Sequence, residues 1–127
     1  MSKALVVDDS RTIRLILRRI LREAGFEVFE AGNGKEALDA LQAQDGDICL
    51  ALVDWNMPEM NGMELLTEIR RHPEMSSMKV IMVTTEAEVG HMSSALQAGA
   101  DEYVMKPFTK EILKEKLQLA GALSFAD

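Results

Sequence analysis

The chain has 127 residues, a formal net charge of −7, 47% hydrophobic residues and 28% charged ones. That length suits one domain spanning residues 1–127, with a core large enough to need no disulfide or metal staple. The composition argues against disorder, and the acidic balance argues against sequence-independent binding to nucleic acid or anionic membranes.

No stretch has the length of a membrane span, and the apolar run after Lys3 is too short for a signal peptide. The single cysteine, Cys49, has no internal disulfide partner. Within its apolar run it reads as a small buried hydrophobe, in a reducing cytoplasmic setting.

In chain order, Ala4–Val7 reads as a strand buried on both faces, ending in Asp8-Asp9. Ile13, Ile16, Leu17, Ile20 and Leu21 follow at i, i+3, i+4, i+7 and i+8, the apolar stripe of a helix that Gly25 closes. Arg11, Arg14, Arg18, Arg19 and Arg22 on that segment read as a solvated face. Glu27–Glu30 is the second strand. The turn Gly32-Asn33-Gly34 leads to a helix marked by Ala37, Leu38 and Leu41.

Ile48–Asp54 is the third strand, and its apolar run ends abruptly in a carboxylate. Met63, Leu66 and Ile69 mark the third helix, closed near Pro73. Lys79–Thr84 is the fourth strand, ending in Thr84-Thr85. Met92, Ala95 and Leu96 mark the fourth helix, closed by Gly99. Glu102–Lys106 is the fifth strand, and Ile112, Leu113, Leu117 and Ala120 mark the last helix. His72 and His91 fall on helices or their ends and read as surface residues.

Five strand–helix alternations call for a parallel sheet with right-handed crossovers and helices on both faces. In such sheets function gathers beyond the C-terminal ends of the strands. Those ends supply Asp8, Asp9, Asp54, Thr84 and Lys106. Two carboxylates about 4 Å apart repel by roughly 4 kcal/mol at an effective dielectric near 20. One ammonium does not balance three of them, whereas a divalent cation would. Hard oxygen ligands favour Mg²⁺. Such a pocket suits a phosphoryl group, with an Asp as covalent nucleophile. Asp9 taken alone also suits the N-cap of a helix starting near Arg11.

At these residues the chain resembles the receiver domains of two-component response regulators. VVDDS (Val6–Ser10), VDWNMPEMNGMELL (Val53–Leu66), VTTEA (Val83–Ala87) and GADEYVMKPF (Gly99–Phe108) are similar to receiver signatures in the family's order. DWNMP, Glu86 two places after Thr84, and QAGADEYVMKPFT look most like the chemotaxis members.

The resemblance implies a flavodoxin-like, doubly wound sheet of five parallel strands in the order 2-1-3-4-5 with five helices. It implies that Asp54 accepts a phosphoryl group from a histidine kinase of the chemotaxis type. Mg²⁺ would be held by Asp9 and Asp54 directly, by Asp8 mainly through water, and by the backbone carbonyl of Asn56. Thr84 and Lys106 would contact phosphoryl oxygens, and Lys106-Pro107 would be a cis peptide. Thr84 and Tyr103 would switch the face formed by the fourth helix, fifth strand and fifth helix. Tyr103 and Lys106 fall on opposite sides of a strand, in keeping with those separate tasks. Asn56 and Glu86 would flank the water that removes the phosphoryl group and so set its lifetime.

The output partner suggested by the chemotaxis likeness is a flagellar motor switch protein. EVGHMSS, Glu88–Ser94, is acidic where the enteric chemotaxis protein is basic, and Gly90 weakens that helix by roughly 1 kcal/mol relative to Ala. After Lys106 there is room for about one helix. We therefore expect no output domain, and a monomer that signals by binding partners. Alternatives are a relay intermediate that passes phosphate on to a histidine, an aspartate-nucleophile phosphatase and a flavin carrier. The phosphatase pattern wants Asp where Asn56 stands. Asp8-Asp9 would repel a flavin phosphate.

Overall fold

The computed structural model describes residues 2–123. Its elements are β1 (Ser2–Val7), α1 (Arg11–Glu23), β2 (Phe26–Ala31), α2 (Gly34–Ala43), β3 (Ile48–Asp54), α3 (Gly62–Arg70), β4 (Lys79–Thr84), α4 (Met92–Gln97), β5 (Glu102–Met105) and α5 (Lys110–Leu119). Short 3₁₀ segments cover Pro73–Met75 and Glu86–His91. The five strands are parallel in the order 2-1-3-4-5, as the resemblance implied.

Alternating strand residues feed two core layers. Ala4, Val6, Leu50, Leu52, Ile81, Val83 and Val104 pack under α1 and α5, whose Leu17, Leu21, Leu113 and Leu117 are buried. On the other face Leu5, Val7, Ala51, Val53, Val80 and Met82 pack under α2, α3 and α4. Strands covered on both sides need no polar alternation, which is why β1, β3 and β4 are almost wholly apolar.

Helix starts are written into the residues after the strands. Ser10, Asn33, Asn61 and Thr109 each accept a backbone N–H three residues on. In α3 the Glu64 side chain returns a bond to the Asn61 backbone, completing a capping box. Ser10 and not Asp9 therefore caps α1, and the Asp9 side chain is left for other work. Gly25 closes α1 with φ +99°, a conformation that L side chains rarely adopt.

Several expectations need correction. Cys49 is exposed, not buried. Lys3 pairs with Ile48 and Ala4 with Leu50, so Cys49 is the extra residue of a bulge. Its thiol donates to the carbonyl of Lys3 at 3.3 Å. Ile16 is 44% exposed. It lies about 100° round the helix from Leu17, beyond the face that meets the sheet. Leu96 and Ile112 are exposed for the same reason. β2 runs one residue further at each end than Glu27–Glu30, and β5 stops at Met105, so Lys106 lies just past the strand.

Gly62 sets how closely α3 approaches the end of β3. A Cβ there would lie 2.7 Å from the carbonyl oxygen of Asp54 and 2.9 Å from the Trp55 Cα. At Gly34 the neighbours are side-chain atoms of Met60, the sulfur at 2.6 Å and Cβ and Cγ at 2.9 Å; the sulfur can swing away, whereas the Cβ moves only with its backbone. We expect Gly62→Ala to cost about 1–3 kcal/mol in urea unfolding and Gly34→Ala to cost less, because its neighbours are side-chain atoms and not backbone. The reverse ranking would contradict this account of the α3–β3 contact.

Candidate functional site

Four strand ends converge on one edge of the sheet. Asp8 follows β1, Asp54 ends β3, Thr84 ends β4 and Lys106 follows β5. Backbone bonds hold these ends in place: the Lys106 N–H donates to the Thr84 carbonyl at 2.6 Å and the Trp55 N–H to that of Val83 at 2.9 Å. Asp8, Asp54 and Thr84 are the buried polar residues of the described chain, at 1%, 6% and 1% exposure. The Lys106 ammonium donates to Asp8 Oδ2 at 3.1 Å and to Asp54 Oδ1 at 3.3 Å. Asp8 Oδ1 accepts the N–H of Ser10 at 2.8 Å. The Asn56 backbone N–H bonds the Asp54 carboxylate.

Asp8, Asp9 and Asp54 each bring a carboxylate oxygen to within 4.8 Å of the others, with Asp9 on the exposed side. Burial, and then repulsion from Asp8, push the Asp54 carboxyl up to about 6, against the pull of Lys106. Burial alone would lower the Lys106 ammonium, but Asp54 and Asp8 together carry it above its ordinary value. One cation thus faces three clustered carboxylates, and the cluster favours anything that removes negative charge. The donors are hard carboxylate oxygens with an open side at Asp9, a set that fits Mg²⁺ with retained waters.

The other residues singled out from sequence lie around this cluster. The Thr84 hydroxyl donates to the Thr85 carbonyl at 3.4 Å and not into the cluster. Asn56 and Glu86 are exposed, just beyond β3 and β4. Tyr103 sits away from the carboxylates, half-buried on the core, with the Lys116 ammonium 5.1 Å from its ring centroid. Lys106-Pro107 is cis. Arg11, Arg19 and Arg22 are exposed as expected. Arg14 and Arg18 depart from the solvated-face reading, because both pair with Glu30 on β2. Arg14 also donates to the carbonyl of Asp8 at 2.6 Å, bracing the acidic turn.

Sequence reasoning missed Arg14, Ser10 and Gly62 as supports of the site. Ser10 was findable as a residue able to bond the N–H three places on. The other two act through tertiary contacts with no local signal. His72 Nδ1 lies 2.8 Å from the Glu68 carbonyl oxygen. His91 is exposed and stacks on Trp55, with ring centroids 5.4 Å apart and 13° between planes. A groove of about 450 Å³ lined by Leu15, Arg18, Arg19, Arg22 and Glu23 runs along α1, apart from the cluster. The chemistry sits on the sheet edge and not in that groove.

A doubly wound parallel sheet with an acidic cluster and one lysine at its C-terminal edge is the arrangement that the receiver resemblance implied. The family model for the response regulator receiver domain matches residues 4–118, and the chain belongs to that family. It is 46% identical over 117 residues to a chemotaxis protein CheY homolog of Campylobacter jejuni, covering 91% of this chain and 89% of the relative. It is 44% identical over 118 residues to chemotaxis protein CheY1 of Helicobacter pylori, covering 92% and 94%. Among solved structures, chemotaxis protein CheY4 of Vibrio cholerae superposes with a TM-score of 0.84 at 35% identity, covering 93% of this chain and 97% of that one. The chain is thus a receiver domain similar to chemotaxis CheY proteins, a family of signalling domains and not of classical enzymes. The phosphatase and flavin-carrier alternatives fall with that assignment.

The raised Asp54 carboxyl has a stability consequence. The fold holds that proton more tightly than the unfolded chain, where the ordinary value is 3.8. The stability contributed by that proton in the metal-free protein is therefore lost as pH rises from about 4 through about 6. We expect Asp54→Asn in EDTA at pH 7.5 to melt about 3–8 °C above wild type, with the gain vanishing near pH 4. A wild type that melts higher at pH 7.5 would contradict the charge account.

Proposed function

We propose that the protein is a phosphorylation-switched chemotaxis regulator in which Asp54 accepts a phosphoryl group from a histidine kinase. The observation that supports this most is the two-point grip of Lys106 on buried Asp8 and Asp54, in a cluster still rich in negative charge. Asp8, Asp9, Asp54 and the Asn56 carbonyl would hold Mg²⁺, which when bound supplies positive charge for the phosphoryl oxygens.

The chain's own residues then have defined tasks. An Asp54 carboxylate oxygen attacks phosphorus, the N–P bond of the donor phosphohistidine breaks, and the electron pair leaves with the imidazole. The product is an acyl phosphate on Asp54. Lys106 shifts its hydrogen bonds from carboxylate to phosphoryl oxygen, which places an ammonium where charge develops. Thr84 turns its hydroxyl from the Thr85 carbonyl toward the same group. For release, a water beside Asn56 and Glu86 attacks phosphorus, the bond from Asp54 oxygen to phosphorus breaks, and inorganic phosphate leaves with the water's oxygen, restoring the Asp54 carboxylate. The protein turns over only itself, which is the sense in which it is not an enzyme.

The signal leaves through α4, β5 and α5. Tyr103 lies on β5, three residues from Lys106, and phosphorylation shifts a pre-existing equilibrium of that face. The chemotaxis relatives favour a flagellar motor switch protein as partner of a cytoplasmic monomer. Among the described residues no helix is long and apolar enough to cross a membrane.

Intact-protein mass after incubation with Mg²⁺ and acetyl phosphate tests the reading. Wild type should gain one phosphoryl group and Asp54→Asn none. A folded wild type that gains none, or a variant that gains one, would refute the assignment of Asp54. After removal of the donor the group should be lost within minutes. Glu86→Ala and Asn56→Ala should each lengthen its life by about tenfold, short of the hundredfold due to a true general base. Unchanged decay in both variants would remove them from the water's path.

A further inference from the structure

The ring stack of His91 on Trp55 joins two segments that the switch must move relative to each other. Trp55 follows Asp54 directly. Its backbone is fixed at both ends, the N–H on the Val83 carbonyl and the C=O accepting from Gly62, each at 2.9 Å. Its ring packs against the core. Trp55 is therefore a rigid post beside the phosphoacceptor.

His91 belongs to the opposite kind of segment. The residues after Thr84-Thr85 form a six-residue 3₁₀ stretch, Glu86–His91, longer than such helices usually run. No residue of it is buried and no side chain caps its start. Gly90 stands in open space. α4 then continues for only six residues, also uncapped, with Met92 and Ala95 buried. Few buried contacts and missing caps mark a segment of low local stability. It is moored by Val89 and Met92 on the core and by the His91 ring on Trp55.

The position of this segment matters because Thr84 leads into it. In the structure the Thr84 hydroxyl donates to the Thr85 carbonyl and makes no hydrogen bond to Lys106 or Asp54. Bringing it to a phosphoryl group breaks its bond to the Thr85 carbonyl, the same oxygen that accepts the Glu88 N–H at 3.0 Å at the start of the 3₁₀ stretch. A shift of that carbonyl would carry the stretch with it, and the stack would resist the shift.

We propose that the His91–Trp55 stack is a latch that holds residues 84–91 in the resting position and sets how readily the site reaches its phosphorylated form. His91 acts through Trp55 and the chain, as a positioning residue. The proposal rests on the phosphoacceptor reading of Asp54.

The test compares wild type with His91→Ala, His91→Gln and His91→Phe. Gln keeps length and polarity without a ring, and Phe keeps the ring. Two readouts are taken: the rate of phosphorylation by acetyl phosphate with Mg²⁺, and the quenching of Trp55, the sole tryptophan, by acrylamide. Losing an aromatic pair should speed phosphorylation by about two- to tenfold in the Ala and Gln variants. Both should also expose Trp55 to acrylamide, and Phe should match wild type in both readouts. Greater Trp55 exposure with an unchanged rate would make the stack mere packing and overturn the latch. So would a Phe variant as fast as Ala. No phosphorylation of any protein, wild type included, would defeat the Asp54 reading itself, whereas equal rates in all four defeat the latch alone.

Discussion

Lys106 stands between two buried carboxylates, with a third close by, and one ammonium cannot neutralise three. The rest of the site is arranged around that imbalance. The fold tolerates it by bringing polar partners to the acids: the Ser10 N–H on Asp8, the Asn56 N–H on Asp54, and Arg14 on the carbonyl of Asp8. It does not remove the imbalance, and the Asp54 carboxyl stays well above its ordinary range. A charge cluster left short of cations in this way is poised to bind a metal ion, whose positive charge would also offset the further negative charge that an acyl phosphate brings.

The surroundings divide into a fixed side and a loose side. β1 and β3 run through the centre of the sheet, covered on both faces, and Gly62 lets α3 close against the Asp54 carbonyl. On the far side the chain after β4 is an uncapped 3₁₀ stretch leading into a six-residue helix. In the proposed switch, chemistry takes place on the fixed side and the response is taken up by the loose one. The division would give the proposed signal a direction, from Asp54 through Thr84 toward α4 and the β5 edge.

Much of this was legible in the sequence, for identifiable reasons. β1, β3 and β4 announced themselves because strands covered on both faces are continuous apolar runs. Once the alternation implied a parallel sheet, Asp8, Asp9, Asp54, Thr84 and Lys106 had to share one edge, and they do. The edge strands β2 and β5, half polar, had blurred ends. The weak start of the fourth helix was hinted at by Gly90, but the 3₁₀ stretch Glu86–His91 before it goes with an absence of caps and burial that local pattern does not encode. Cys49 was misplaced because a bulge has no periodic signature. Arg14 and Gly62 act across the fold, on a carbonyl and a backbone approach that local pattern does not encode. The same holds for His91, whose partner lies 36 positions away at Trp55.

The central claim is that unbalanced charge on Asp8, Asp9 and Asp54 makes the site a seat for a divalent cation. The most direct measurement is the melting temperature as a function of Mg²⁺ concentration at pH 7.5, for wild type and for the double variant Asp9→Asn/Asp54→Asn. The account predicts that the wild type rises steadily with the logarithm of Mg²⁺ above its dissociation constant, while the double variant starts higher and stays flat. A wild-type curve as flat as the variant's, in folded protein, would contradict it.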